Sequence, residues 1–298
     1  MDWQYRLIGI YLFVCHHYQQ DLWSIVERMS NNSAPDFTDE EVITIYLFGV
    51  IQKRFTITEI YDYTHDHLGD WFPNLPGYGA YVQRLNKLSE IFPYLLDKIL
   101  FQALAISPYP LLDVHLLDSM PIIMAKEKRS STAKVANHFA NKGFCASKNT
   151  WYYGVKVHLL GLKRHKKLPL PDYIGVTPAS EHDLTAFKKI APYLEGTEVF
   201  ADKAYCDDLF KELMKLEQGT LLHTPFKKEK GQKFLQSFER LFSTAVSKIR
   251  QPIESLFSWI IEKTGIQVAS KVRSFNGLMV HVFGRLTAAM YILAYKYN

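Results

Sequence analysis

The sequence predicts a mixed α/β body preceded by an all-helical region, and three observations carry that prediction. Helix-capping signals and helical spacing of apolar residues run through the first hundred positions. Short strand-like runs, several in succession and then alternating with helical stretches, occupy residues 111–263. The charge divides near the same place: residues 1–120 contain 7 Lys+Arg and 15 Asp+Glu, whereas residues 121–298 contain 28 and 15. The net charge of +5 over 298 residues therefore conceals an acidic front and a basic back. A basic region of that size points to a polyanion, with nucleic acid the leading candidate.

The front region is built from recognisable helix starts. Thr38 followed by Glu41 is a capping box, and Ile43, Leu47 and Ile51 then recur at helical spacing. Thr56 and Glu59 repeat the device for a second helix through Tyr63. The Gly/Pro-rich segment 71–78 interrupts, and further helices are expected over 80–88 and 93–104. Such a region suits DNA-end binding or dimerisation, and a packing role is the plainer reading of its acidity. The texture changes at 107–110, which sets the expected division into a helical region, 1–107, and a catalytic region with C-terminal helices, 108–298.

Five strands are expected beyond that point: 111–118, 152–160, 172–177, 198–202 and 220–224. Helical signals cover 183–194, 207–216 and 237–263, and residues 270–298 read as one more apolar helix. The segment 126–148 stands apart. It carries Lys126, Lys128, Arg129, Lys134, Lys142 and Lys148 with few large apolar groups, and reads as a loop that tracks phosphates. Arg164, Lys166 and Lys167 add a second basic cluster.

Composition excludes several classes. Apolar residues make up 48% of the chain and charged residues 22%, which excludes wholesale disorder. Cys15, Cys145 and Cys206 are widely spaced with no Cys-x-x-Cys pair, so neither a disulfide framework nor a cysteine zinc site is expected. Residues 7–15 and 286–295 are too short to span a bilayer. A soluble protein of the bacterial cytosol, with no membrane partner, is the expectation.

Three acids are spaced as a metal-dependent phosphoryl-transfer site would want them. Asp118 is read as closing the first apolar strand and Asp202 as ending another. Glu254 lies one residue off the helical core stripe Ile249, Ile253, Leu256 and Ile260, with Arg250 its i−4 neighbour. Ligands favour the carboxyl ends of strands. Magnesium binds through a few carboxylates plus substrate phosphates, and two such ions ~3.5–4 Å apart serve an in-line displacement. Each acid taken alone reads more readily as a turn or cap residue. Asp113 has the same chemistry at the opposite strand end.

The set Asp118-Ser119-Met120-Pro121, Tyr153-Gly154-Val155-Lys156-Val157-His158, Asp202-Lys203-Ala204-Tyr205 and Arg250-x-x-x-Glu254 resembles a DDE-type transposase of a bacterial insertion sequence. The nearest branches are the insertion sequence 4 and 5 superfamily and the insertion sequence 982 family. The resemblance covers residues 108–265 and implies a ribonuclease H-like mixed five-stranded sheet flanked by helices. It further implies Asp118, Asp202 and Glu254 as catalytic and metal-binding residues, Mg2+ as cofactor with Mn2+ able to substitute, and double-stranded DNA (element ends and target) as partner. A homodimer assembled on DNA is also implied. The wider superfamily often has a Tyr three residues before the Arg and a Lys seven after the Glu; Ser247 and Ile261 stand in those slots here, and Lys263 is displaced by two.

The expected activity is strand cleavage at element ends followed by 3′-hydroxyl transfer into target DNA. A ribonuclease H-like nuclease without strand transfer and a catalytically decayed DNA-binding protein remain as alternatives. Lys156 and His158 share a strand face with Gly154 and are expected to meet DNA near the metal edge. Lys203, Tyr205, Arg250, Lys126, Lys128 and Arg129 complete the expected DNA contacts. Pro252 predicts a helix start or kink. Trp71, Trp151 and Trp259 read as core, with base stacking by one of them as the other reading.

Overall fold

The first helix, α1 (Trp3–Gln20), buries Leu7, Ile10, Val14 and His17 as a single stripe at three- and four-residue intervals. The two capping boxes follow as expected. Thr38 and Glu41 start α2 (Asp39–Ile51), and Thr56 and Glu59 start α3 (Ile57–His67), each pair satisfying two backbone N–H groups reciprocally. Then come α4 (Tyr78–Lys87) and α5 (Ile91–Ala105). The computed structural model of the chain describes residues 3–27, 35–105, 113–228 and 230–296. The texture change at 107–110, and the expected domain boundary with it, lie outside the described residues.

The α/β part contains β1 (Val114–Lys126), β2 (Asn141–Cys145), β3 (Thr150–Leu162) and β4 (Leu170–Pro178). After these come α6 (Asp183–Ile190), β5 (Glu198–Phe200), α7 (Asp208–Gln218), β6 (Leu221–His223) and α8 (Ser237–Thr264). Among the described residues these strands form one six-stranded sheet in the order β2-β3-β1-β5-β6, with β4 also on β3. The pairs β1–β3, β2–β3 and β3–β4 are antiparallel; β1–β5 and β5–β6 are parallel. One face of the sheet packs Leu117, Leu160 and Val199 against Phe187 of α6 and Met214 of α7.

The sixth strand, β2, departs from the expected five and lies inside the basic segment read as a loop. Its sequence has no β-branched residue, so local propensity does not announce it. It forms because β3 is longer than β4. Val155 of β3 pairs with Pro178, and the open edge before it is taken up by Asn141 opposite Gly154. The Asn141 side chain donates to Ser180 Oγ at 2.7 Å and accepts from Ser180 N at 2.8 Å, joining β2 to the exit of β4.

Three further expectations are corrected. Asp118 does not end its strand: β1 continues to Lys126 because β3 pairs with it along its length. Pro252 does not start a helix but lies inside α8. A proline there forfeits a backbone bond and costs ~3 kcal/mol, which the burial of Val246, Ile253, Leu256 and Phe257 on one stripe offsets. Trp71 and Trp151 are exposed rather than core.

The C-terminal segment is broken in three: α9 (Phe275–Met279), a π-turn Val280–Gly284, and α10 (Arg285–Lys296). The chain divides into two compact units, Met1–Ala105 with Ile260–Asn298 and Ile106–Trp259. Residues 260–298 thus belong with the front helices and not, as the sequence suggested, with the sheet. Val280 and Ala288 join the core of α1–α5, and Thr287 Oγ1 donates to Phe92 O at 3.0 Å. Gly284 lies so close to Tyr46 that an added Cβ would meet the ring at 2.5 Å. By length and composition Phe275–Tyr295 could cross a membrane, yet 72% of its apolar window is buried within the protein, as in a core helix.

Candidate active site

Strand parity decides which side chains share a surface, because directly opposed residues of a pair point to the same face. Asp118 is opposite Leu159, whereas Lys156 and His158 are opposite Pro121 and Ser119. Asp118 therefore shares its face with Gly161, where an added Cβ would touch Ile253 Cδ1 of α8 at 3.4 Å. Lys156 and His158 stand on the other face, toward α6.

Although Asp118 is in mid-strand, it lies at the carboxyl end of the parallel part of the sheet. The short β5 stops at Phe200, opposite Leu116, so among the described residues the β5 side of β1 is unpaired from there onward. Asp202 follows two residues after Phe200, and its side chain accepts from Ala204 N, capping a single 3-10 turn. Helix α8 supplies Arg250 and Glu254 one turn apart. Arg250 donates from Nη1 to Asp118 Oδ2 at 2.8 Å and from Nη2 to Glu254 Oε1. The other Asp118 oxygen accepts from Ser119 N at 2.8 Å.

Burial pushes the Asp118 carboxyl up to about 6; Arg250 and the Ser119 N–H oppose that rise, and the charges of Asp202 and Glu254 add to it. Three carboxylates thus act on one another in a half-buried spot where a guanidinium is the balancing charge. Its fit is incomplete, since Arg250 Nε is buried with no hydrogen-bond partner among the described residues. As the side chains stand, no group of three or more His, Cys, Asp or Glu among the described residues is gathered closely enough to hold an ion.

The remaining expected contacts divide. Lys156 Nζ donates to Glu181 O at 2.7 Å and Asp183 Oδ1 at 2.9 Å, which occupies it inside the sheet–α6 packing. His158 is buried, its Nε2 2.8 Å from Thr177 Oγ1, and burial lowers its pKa to about 4. Tyr205 is buried against Phe187, with ring centroids 6.0 Å apart, so it offers no ring for base stacking. Lys203 is exposed and lines a cavity of about 490 Å3 together with Arg240, Lys248, Gln251 and Glu254. Lys126, Lys128 and Arg129 are exposed where β1 runs out, eight residues and roughly 26 Å along the strand from Asp118. Lys248 and Gln251 were not singled out in the sequence. Their signal is the polar stripe Ser247, Lys248, Gln251 and Ser255 facing away from the apolar stripe of α8.

An antiparallel β1–β3–β4 unit extended by parallel β5 and β6, flanked by helices and carrying acids at its parallel end, is a ribonuclease H-like fold. Residues 111–273, more than half of the chain, match the transposase DDE domain, and the protein belongs to that family. No curated protein and no solved structure matches the chain. Family membership makes DNA the partner, and DDE transposases generally use divalent metals.

Proposed function

We propose that this protein is the transposase of a bacterial insertion sequence, of the 4/5 superfamily or the 982 family. It would cut DNA at the element ends and transfer the resulting 3′-hydroxyl into target DNA. The observation that supports this best is the pairing of Asp118 and Glu254 through Arg250 at the parallel end of the sheet, with Asp202 near enough for its charge to act on Asp118. We assign Asp118, Asp202 and Glu254 as the residues that would hold Mg2+, or Mn2+ in its place. The donor set fits by its chemistry: hard carboxylate oxygens from three separate elements, whose like charges raise the Asp118 carboxyl and would be relieved by a cation. When bound, the metal supplies positive charge to the attacking and leaving oxygens of an in-line displacement.

The chain's own residues do the positioning. The Ser119 N–H fixes one oxygen of Asp118 and the turn after β5 fixes Asp202, while Arg250 holds the other Asp118 oxygen in the metal-free protein. Exposed Lys203 and Arg240 can meet phosphate beside Glu254. A homodimer on DNA in the bacterial cytosol is part of this proposal.

The test uses duplex DNA bearing the element ends, with Mg2+ or Mn2+, and scores cut and joined products. Asp118→Asn or Asp202→Asn should lower cleavage by a factor of about 1,000 or more while the variants still fold. Undiminished cleavage would overturn the assignment. Cut but unjoined products from the wild type would instead identify a nuclease. Binding without any cleavage would identify a DNA-binding protein only.

A further inference from the structure

The turn between β3 and β4 and the neighbouring stretch of α8 enclose a second cavity, of about 520 Å3, within the sheet unit. Its walls carry Lys163, Arg164, His165, Lys166, Lys167 and Lys248, and no Asp or Glu lines it. Cavities of one charge sign concentrate field and attract the opposite ion. Two hydrogen bonds tie the turn down. Lys163 N donates to Val114 O at 2.9 Å, and the buried Arg164 donates from Nε to Leu168 O at 2.8 Å, so residues 165–167 are carried outward on a stapled loop.

Lys166 adopts φ +52°, a left-handed backbone that favours glycine, so a charged side chain is kept where the backbone asks for none. Lys166 and Lys248 are both exposed, and neither forms a salt bridge among the described residues. Their charge is available to a ligand.

Lys248 and Gln251 line this cavity and also the one that contains Lys203 and Glu254. On a helix of 3.6 residues per turn, the stripe 248–251–255 lies roughly a quarter turn from 247–250–254. The two cavities therefore adjoin over one edge of α8. A free phosphate would need one close set of donors, whereas this arrangement spreads cations along a path that starts beside the acids. That is the requirement of a polynucleotide backbone.

We propose that the cavity between the β3–β4 turn and α8 is a phosphodiester-backbone site, gripping the DNA strand that runs on from the Asp118–Asp202–Glu254 cluster over Lys248 and Gln251. The inference rests on the reading of this protein as an enzyme acting on DNA, and it adds the route the strand takes beyond the reacting phosphate.

The experiment measures binding of a fluorescent duplex without element-end sequence, in EDTA, across a range of salt concentrations. The variant is Lys166→Gly with Lys248→Ala. Glycine relieves the backbone at 166, and alanine favours an exposed helical position, so the protein should still fold; circular dichroism checks this. The affinity should fall about tenfold, and the slope of log K against log salt should decrease by about 2, one unit near 0.9 for each lost phosphate contact. Lys166→Arg with Lys248→Arg should bind as the wild type does. A wild type that binds while the Gly/Ala variant matches it in affinity and slope overturns the site and leaves the transposase reading standing. Failure of that reading appears separately, as intact wild-type binding with no metal-dependent cleavage. A wild type that does not bind this duplex overturns the site, and the transposase reading is then decided by cleavage of element-end DNA alone.

Discussion

Arg250 Nη1 donates to Asp118 Oδ2 at 2.8 Å, joining two residues 132 positions apart and tying α8 to the sheet's first strand. Arg250 also pairs with Glu254, so one guanidinium balances two of the three acids. This is the place a divalent cation would take under the proposed function.

Arg250→Met should destabilise the metal-free protein by about 1–3 kcal/mol at neutral pH, the cost of leaving a half-buried carboxylate without its donor. Asp118, already raised to about 6, binds its proton more tightly folded than unfolded. The group's contribution is therefore full below its unfolded pKa near 4 and fades as pH rises through about 6. The loss in Arg250→Met should be larger at pH 8 than at pH 5. Added Mn2+ should raise the Tm more in the variant than in the wild type. Equal increments would mean that the guanidinium does not occupy the cation's place.

Lys156→Met tests whether Lys156 serves packing or DNA. Removing the ammonium leaves the Asp183 carboxylate and Glu181 carbonyl without their donor. Unfolding in urea should show a loss of about 2–3 kcal/mol, with DNA affinity within about twofold of wild type. Weakened DNA binding at unchanged stability would return Lys156 to the DNA-contact surface that its sequence position suggested.

His158 gives the fold a sensitivity to acid. Its folded pKa of about 4 lies below the ordinary 6.5 because burial disfavours the charged ring, with the Lys156 charge acting the same way against Asp183 and Glu181. A depressed pKa contributes stability that is complete above 6.5 and drains as pH falls toward 4. The slope approaches ~1.4 kcal/mol per pH unit and the total is about 3 kcal/mol. His158→Gln, which keeps a hydrogen-bonding group for Thr177, should flatten that part of the stability–pH curve. An unchanged acid limb would show that His158 is not its source.

Two glycines make a matched pair. A Cβ at Gly154 would lie 2.0 Å from Ile122 O, beside the irregular register at Ile123–Ala125, so Gly154→Ala should cost about 3 kcal/mol. A Cβ at Gly79, in α4, would meet nothing within 4 Å, and Gly79→Ala should stabilise by roughly 0.5–1 kcal/mol. Thermal unfolding of both variants checks the contrast; similar shifts would refute the close approach at Gly154.

The local signals in this chain were legible where the physics is local. Thr38 and Thr56 start helices because a hydroxyl and a carboxylate three residues apart satisfy each other's backbone donors, whatever lies elsewhere. The strand runs around Val155, Ile174 and Val199 likewise declare themselves, as do the acids and the basic bias of the second half. Non-local pairing was not legible. Alternation places Lys156 and His158 together on one face, but only the register of β1 on β3, Asp118 opposite Leu159, turns that face away from the acids.

The sequence by itself determined the helix starts, the alternating strands, the charge division and the chemical identity of Asp118, Asp202, Glu254 and Arg250, since each depends on neighbours within a few residues. Tertiary structure alone decided that β2 would pair in a segment without strand propensity and that residues 260–298 would join the front helices. It also decided that Arg250 would bind Asp118 and that two basic cavities would meet along α8. Those outcomes depend on edges left open and faces brought together by residues far apart in the chain, and no spacing along the sequence encodes that.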